Sequence, residues 1–478
     1  MIFASLLFVF LFFTANILSQ ILIPSTKWKN IAMLAFSLFF YAWTGLRCLL
    51  IMLTMVFICK VGAVAIEENG AAGKSKKFPL TLTVSACLGI LGFFKYTGFF
   101  FSSVANVTGA DLTIPEIVLP IGISFYTFQL ISYVVDVYRG EVEAQRSYWK
   151  LLLYACLFHQ CIAGPIIRYK DIHEDLKIRK PTLEEAGQGV TRFCIGLAKK
   201  AVIANGCGAI ADHFFKVNAE ILSATAICGI ILGLFAFGVQ VYFDFSAYSD
   251  MAIGMGLMCG LHYKENFNYP LISRSMVEFW RRWHISLGSF FRDYVYIPLG
   301  GSRCSVPKQI RNLFIVWFLT GLWHGASWNY VLWGLYFGLI LFIHRYIVKD
   351  NLSWLPEIFK GLGTFALYLF SIVIFLFVDL DMMAIGIKSL FGLNGNAWTN
   401  TDFFLTFKNN IYFIILCVLV GTPLSNYPRT LLEKFSHKNN FFFAAHAFVE
   451  ILIPPVLLII AANALAGNSY NPFIYFQF

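Results

Sequence analysis

Long apolar runs separated by short polar segments fill almost the whole chain. A helix needs roughly 20 residues to cross the hydrocarbon core of a bilayer, at about 1.5 Å per residue. With the longest run counted as two helices, the pattern predicts about twelve crossings, within a range of about ten to fourteen. The apolar runs are residues 1–23, 30–45, 48–66, 78–100, 114–137, 189–211, 221–243, 312–347, 363–380, 410–422 and 441–466.

Two segments interrupt this pattern. Residues 151–166 are apolar, but basic residues flank them on both sides, so we predict a re-entrant segment that does not cross the membrane. Residues 264–311 are rich in aromatic residues and arginine, which indicates irregular or interfacial structure. Irregular backbone at membrane depth is tolerated only where protein or water satisfies its polar groups. The sequence therefore predicts an all-α polytopic membrane protein folded around a cavity.

The composition excludes a soluble chain. Hydrophobic residues make up 58% of the 478 positions, charged residues only 13%, and the mean hydropathy is +0.70. Soluble domains carry about 25% charged residues. The net charge of +10 has an ordinary explanation, because the cytoplasmic loops of membrane proteins collect lysine and arginine. We therefore predict membrane lipids, and no nucleic acid, as partners of the surface.

The basic residues also predict the orientation. The first apolar run has no basic residue before Lys27 and no small-residue cleavage site, so we interpret it as an anchor that stays. Lysines in the first and third predicted loops place those loops inside and the N-terminus outside. An even number of crossings places the C-terminus outside as well. Arg47 and Lys95 fit less well, and we expect them to snorkel to the interface.

The eleven cysteines are scattered, mostly in apolar runs, and form no CxxC pair. His159 and Cys161 lie close together, but two candidate ligands without further partners are a weak metal signal. The chain has no GxGxxG, Walker or GxSxG signature. We predict no metal and no permanently bound cofactor.

The segment 278–287 is dense in aromatic and basic residues. If this segment is a helix that continues to Phe291, then Trp280, His284, Leu287 and Phe291 share one face. That face is apolar and carries a histidine. Arg281 and Arg282 then lie on another side, where guanidinium groups can hold phosphates in a two-pronged geometry. The alternative is an interfacial helix whose arginines contact lipid headgroups and whose tryptophans join the aromatic belt.

His324 lies inside a long apolar run, in the sequence Thr320–Trp328. An ionisable group within the membrane is costly and by default marks a functional site. Gly321, Gly325 and Ala326 are small, so backbone or substrate can come close. A neutral imidazole there can act as general base for a hydroxyl nucleophile. The alternative is a histidine that hydrogen-bonds across a helix interface and stiffens the packing.

A third cluster, residues 242–250, contains two carboxylates, Asp244 and Asp250. We expect them either to orient a histidine, to pair with the arginines of 264–311, or to cap the next helix. Their spacing does not distinguish these alternatives.

Five segments resemble one known family, in order and over most of the chain. They are FWRRWHISLGSFFRDYVYIPLGG (279–301), GLWHGASWNYVLWG (321–334), PIGISFYTFQLISYVVDVYRG (120–140), AGPIIRY (163–169) and YFDFSAYSDMAIG (242–254). Together they resemble the membrane-bound O-acyltransferases, in the bacterial branch that includes the alginate O-acetylation proteins. His159 departs from the pattern, since that branch has proline there.

The resemblance implies a single membrane domain over residues 1–478 with a central tunnel. N-terminal helices then occupy 1–115, a core with the histidines 116–347, and C-terminal helices with an aromatic tail 348–478. His324 matches the essential histidine of the family, and His284 matches the second active-site residue. Trp280, Arg281 and Arg282 are our own choice for binding the donor.

The resemblance also implies substrates and partners. Cytosolic acetyl-CoA is the expected donor, and an extracytoplasmic polysaccharide such as alginate, or peptidoglycan, is the expected acceptor. In this branch a separate SGNH-type transferase outside the membrane usually completes the transfer. The expected location is the bacterial inner membrane, with several crossings.

The C-terminal sequence NPFIYFQF (471–478) resembles an aromatic ending with a tyrosine that is proposed to carry an acyl group in related systems. Tyr475 is therefore a candidate acyl relay. The alternative is an aromatic tail that packs at the membrane interface.

Two other functions fit a many-helix chain with an intramembrane histidine: a proton-coupled transporter or flippase, and a scaffold that recruits a transferase. The missing internal repeat and the long arginine-aromatic segment argue against the transporter.

Overall fold

The computed structural model describes residues 2–161, 164–215, 218–349, 351, 353–437 and 439–467, and every regular element in these ranges is helical. The α-helices are α1 (Thr14–Leu22), α2 (Thr26–Ala42), α3 (Leu46–Ala71), α4 (Lys77–Thr108), α5 (Ile123–Arg139), α6 (Tyr148–Cys156), α7 (Tyr169–Ile172), α8 (Asp175–Ile178), α9 (Leu183–Ala198), α10 (Asn205–Phe215), α11 (Ala219–Ala224), α12 (Ile227–Met258), α13 (Met276–Arg282), α14 (Ile285–Phe291), α15 (Val306–His324), α16 (Trp328–Phe342), α17 (Glu357–Leu376), α18 (Leu380–Leu390), α19 (Thr401–Val420), α20 (Tyr427–Ser436) and α21 (Asn440–Gly467). Short π-helical segments are Phe8–Phe13, Lys199–Ala204, Arg292–Tyr296 and Ile343–Val348, and 3-10 turns are Pro270–Ile272 and Pro423–Asn426.

Eight helical segments in the described ranges are long and apolar enough to cross a membrane. They are Leu46–Ala71, Lys77–Thr108, Leu183–Phe215, Ile227–Met258, Trp328–Val348, Glu357–Leu376, Thr401–Val420 and Asn440–Gly467. The apolar helix Phe8–Leu22, α2, α5 and α15 are shorter or less apolar, and they match the four remaining predicted runs. The all-α polytopic architecture is therefore confirmed.

The two segments that interrupt the apolar pattern, 151–166 and 264–311, differ from membrane-crossing helices. After the nine residues of α6, the described chain from Leu157 to Cys161 and from Gly164 to Arg168 is irregular and mostly buried. Residues 264–305 form only short helical pieces separated by turns, and α15 begins at Val306. Both segments lie against α5, which is buried over most of its length, so irregular backbone is enclosed by protein.

Helices α9 and α12 cross so closely that their backbones touch. A Cβ atom on Gly189 would lie 2.7 Å from the Gly254 carbonyl oxygen, and one on Gly196 would lie 2.7 Å from the Ala247 carbonyl oxygen. Small residues permit such close packing between helices in a membrane. This crossing brings the end of α9 against the middle of α12.

The carboxylates of 242–250 lie inside α12 and pair with cations of α9 and of the segment that follows it. The Nζ atom of Lys200 lies 2.7 Å from Oδ1 of Asp244, and both side chains are buried. Asp250 binds Lys199 and Arg192 at 2.8 and 2.7 Å. Two of the three alternatives for these carboxylates, pairing with the arginines of 264–311 and capping the next helix, are therefore wrong, because α12 continues to Met258 and packs along α9. The third, that a carboxylate orients a histidine, stays a prediction.

We predict that Lys200→Met lowers the stability of the protein by about 3–5 kcal/mol, because it leaves the Asp244 carboxylate buried without this cation. The measurement is the unfolding midpoint of the purified protein in detergent.

Arg429→Met is the matched control, since Arg429 pairs with Glu450 at 43% and 26% side-chain exposure and such pairs contribute about 0–1 kcal/mol. Equal midpoints for the two variants would contradict the prediction.

Candidate active site

His324 is the last residue of α15, at the turn into α16. Gly325 has extended backbone (φ −175°, ψ 157°), and α16 begins at Trp328. A Cβ atom on Gly321 would lie 2.3 Å from the Tyr330 carbonyl oxygen, and one on Gly325 would lie 2.2 Å from the Tyr330 ring. The expected close approach of backbone is confirmed at Gly321, whereas the close neighbour of Gly325 is the Tyr330 side chain. This packing fixes His324 at the tip of a tight helical hairpin.

The His324 side chain lines a narrow cavity of about 30 Å³. The walls are mainly aromatic, including Trp280, Trp333 and Phe375, and Asp244 contributes a carboxylate. The imidazole packs edge-on against Trp333 and Phe375, with ring centroids 4.7 and 5.7 Å apart. These contacts hold the imidazole at the cavity wall.

Several buried polar atoms of these cavity walls have no protein partner within the described ranges. They are Nδ1 of His324 and the indole Nε1 atoms of Trp280 and Trp333. Buried polar groups are nearly always hydrogen-bonded, so each such atom requires an explanation. A polar ligand in the cavity supplies one, because it can accept from the indoles and bond to the imidazole.

His284 lies at a break between two short helices. Helix α13 ends at Arg282, and His284 has left-handed backbone (φ 44°, ψ 54°) before α14 begins at Ile285. The single helix expected over 278–291 is therefore wrong, and Trp280 and His284 do not share its face. A residue other than glycine in this conformation is strained, and such strain concentrates at functional sites.

The amide of Asn266 fixes the His284 ring. Its Oδ1 atom lies 3.1 Å from the Ser286 backbone nitrogen, 2.8 Å from Ser286 Oγ and 3.2 Å from His284 Nδ1. The Ser286 backbone N–H can only donate, so the Asn266 atom that it contacts must be the amide oxygen. An amide oxygen can only accept, so Nδ1 of His284 must carry a proton. In the neutral ring, Nε2 is then the acceptor. This atom is buried and has no protein partner among the described residues.

The structure brings the two histidines together around one indole. The ring of Trp323 lies 5.7 Å from that of His284 and 4.9 Å from that of His324, measured between centroids. The two candidates from separate motifs thus belong to one site.

The candidate donor residues are distributed differently. Trp280 lines the cavity and contacts Trp333 at 5.9 Å between ring centroids. Arg281 is exposed, outside the cavity lining. Arg282 donates to Glu278 at 2.9 Å and to the Asn268 carbonyl at 3.2 Å, so part of its guanidinium is already occupied. A phosphate-binding role for either arginine stays a prediction.

Tyr475 and His159 are two further candidates from the sequence. Tyr475 lies outside the described residues, so its role as a relay stays a prediction. His159 is buried and its Nδ1 atom bonds to the Tyr263 hydroxyl at 3.0 Å. Within the described ranges, no group of three or more His, Cys, Asp or Glu side chains is arranged to hold a metal ion.

Sequence reasoning missed the roles of Lys95 and Asn266 at the site, whereas Asp244 was already a candidate for orienting a histidine. Lys95 does not snorkel: its ammonium donates to the Trp323 carbonyl, next to His324, so that expectation is wrong. A lysine inside an apolar run is itself a signal of function. Asp244 belongs to the cavity wall. For Asn266, which holds His284, no sequence pattern distinguished it from the other polar residues of its segment.

The comparisons with known proteins agree with this picture. Residues 143–350 match the family described as "MBOAT, membrane-bound O-acyltransferase family". A probable alginate O-acetylase of Azotobacter vinelandii is 36% identical over 100% of both chains, and that of Pseudomonas aeruginosa is 40% identical over 78% of this chain and 72% of its own. The peptidoglycan O-acetyltransferase of Helicobacter pylori is 31% identical over 83% and 80%. These names favour an enzyme over the transporter and scaffold alternatives.

We predict that Gly321→Leu disrupts the α15–α16 hairpin, because a larger side chain would overlap the Tyr330 carbonyl and the α16 backbone. Overpacking of this kind costs about 1–3 kcal/mol or more. The measurement is the monodisperse fraction of purified protein in size-exclusion chromatography.

Gly361→Leu on α17 is the control, since no atom lies within 4 Å of its Cβ position. Similar monodisperse fractions for both variants would show that the close crossing is not required.

Proposed function

The chain belongs to the membrane-bound O-acyltransferase family, and we propose that it moves an acetyl group from cytosolic acetyl-CoA toward a polysaccharide outside the cell membrane, with His324 as general base. The observation that carries this proposal is the buried His324 imidazole in an aromatic cavity beside indole N–H groups that have no protein partner in the described ranges.

Acetyl transfer requires a general base and a site from which water is excluded. The acceptor hydroxyl loses its proton to His324 as its oxygen attacks the thioester carbonyl carbon. A C–O bond forms, the C–S bond breaks, and the proton passes from the imidazole to the departing CoA sulfur. Aromatic walls keep water away from the thioester and so limit its hydrolysis. The indole N–H groups of Trp280 and Trp333 are placed to bind polar atoms of the substrates.

His284 has a different role in this scheme. Because its Nδ1–H is committed to Asn266, the neutral ring can offer only the Nε2 lone pair. It can therefore accept a hydrogen bond from a hydroxyl or amide N–H of a substrate, but it cannot donate one to a developing oxyanion. We assign His284 to substrate orientation.

The proposed donor, acetyl-CoA, has two chemically different ends, the acetyl-pantetheine arm and the phosphates. We propose that the acetyl thioester end reaches the aromatic cavity beside His324 and that the phosphates of CoA stay outside it. The exposed guanidinium of Arg281, five residues after the first residue of α13, the helix that carries Trp280, is available for a phosphate. Arg282 can contribute only the part of its guanidinium that Glu278 and Asn268 leave available. No permanently bound cofactor is needed for this reaction.

The acceptor and partner follow from the relatives. Those proteins are named for the O-acetylation of alginate and of peptidoglycan, so an extracytoplasmic glycan of one of these kinds is the proposed acceptor. We place the chain in the bacterial inner membrane with both termini outside. There Tyr475 is proposed to receive the acetyl group as an aryl ester and to present it to an SGNH-type transferase.

We predict that His324→Ala lowers CoA release from acetyl-CoA by about 100- to 10,000-fold, because removal of a general base has effects of this size. The measurement uses purified protein in liposomes with radiolabelled acetyl-CoA and membrane extract as the source of partners and acceptors.

His213→Ala is the control, since His213 is exposed and pairs with Asp402 on α19. Full turnover by His324→Ala would contradict the role of the base. No turnover by the wild-type protein would contradict acetyl-CoA as donor.

We predict that Tyr475→Phe abolishes covalent acetyl label on the chain and strongly reduces glycan acetylation, because phenylalanine has no oxygen to acylate. The label is measured after acid quenching, with Tyr412→Phe, an exposed tyrosine on α19, as control. Unchanged glycan acetylation in Tyr475→Phe would exclude the relay.

A further inference from the structure

Helix α4 reaches the active site with two neighbouring side chains. The Lys95 ammonium donates to the Trp323 carbonyl and lies 3.4 Å from Ser124 Oγ. The Tyr96 hydroxyl donates to the Leu322 carbonyl at 2.8 Å. Two consecutive side chains of α4 thus bind two consecutive carbonyl groups of α15, immediately before His324.

These carbonyl groups need such partners. The last four carbonyls of an α-helix have no partner within the helix, and α15 ends at His324. Away from water, an unsatisfied carbonyl is costly, so another part of the protein must supply the donor. A cation is also the favourable charge at a helix C-terminus, where the helix dipole is negative.

The position of the imidazole depends on these bonds. His324 is followed by extended backbone, so no further helical turn holds it from the C-terminal side. The glycine crossing with α16 restrains one side of the α15 end, and Lys95 with Tyr96 restrains it from α4. Movement of the Leu322 or Trp323 backbone would carry the imidazole with it.

We propose that Lys95 is a positioning residue, which together with Tyr96 holds the C-terminal end of α15 so that the His324 imidazole faces the cavity. This inference rests on the proposed role of His324. Lys95 lies outside residues 143–350, the part of the chain that matches the family, so the N-terminal helices complete the active site.

The experiment measures kcat and KM for acetyl-CoA in the liposome assay for Lys95→Met, Lys95→Arg and Tyr96→Phe. We expect kcat of Lys95→Met to fall about 100-fold, the size of effect of a catalytic group displaced by about 1 Å, with KM within about twofold. Lys95→Arg restores a cationic donor and should recover most of the loss. Tyr96→Phe should lower kcat less, by about tenfold.

Two control variants remove comparable groups elsewhere. Lys60→Met removes a lysine of α3 that is not part of the site, and Tyr148→Phe removes a phenol that bonds to the Leu53 carbonyl at 3.0 Å. Both should keep the wild-type kcat. If Lys95→Met does not fold, Tyr96→Phe still decides the question.

Three results would overturn the proposal: an unchanged kcat in Lys95→Met or Tyr96→Phe, a change in KM alone, or equal losses of kcat in Lys95→Met and Lys95→Arg. His324→Ala is measured in parallel. If it stays active, the proposed function fails. If it is inactive while Lys95→Met is fully active, only the positioning role fails.

Discussion

Backbone carbonyl and amide groups that lie away from water have to find their partners within the protein, and this requirement shapes the candidate active site. Lys95 and Tyr96 meet it at the end of α15. Asn266 meets it at the start of α14, where its side chain accepts from the Ser286 N–H, and Ser286 and Tyr154 bind the irregular chain that follows α6. Each unsatisfied group in an apolar surrounding costs several kcal/mol, so these side chains determine where helices can end.

The two histidines occupy such endings. His324 closes a long helix, and His284 adopts a left-handed conformation between two short ones. A continuous helix presents its side chains around a cylinder, whereas two interrupted helices can direct single side chains toward one cavity. Trp323 joins the two endings, since both imidazoles contact its ring. The breaks in regular structure and the candidate active site therefore coincide.

Apolar length predicts the helices well, because a membrane chain must satisfy its backbone within each segment. His324 is equally visible, as an ionisable side chain in an apolar run. The helix assumed around His284 was wrong because periodicity takes no account of a strained residue that tertiary hydrogen bonds hold in place. The pairing of Asp244 with Lys200, and the bond from Lys95 to α15, join residues far apart in sequence, so local patterns do not predict them.

The buried ion pair between the segment after α9 and α12 bears on how the chain enters the membrane. Lys200 is synthesised before Asp244, and a lone lysine at the centre of a membrane helix costs about 2.5–3.5 kcal/mol on insertion. The segments Leu183–Phe215 and Ile227–Met258 follow each other directly along the chain. They are therefore best released into lipid as a pre-assembled pair, with the first segment retained at the insertion machinery until the second has been translated.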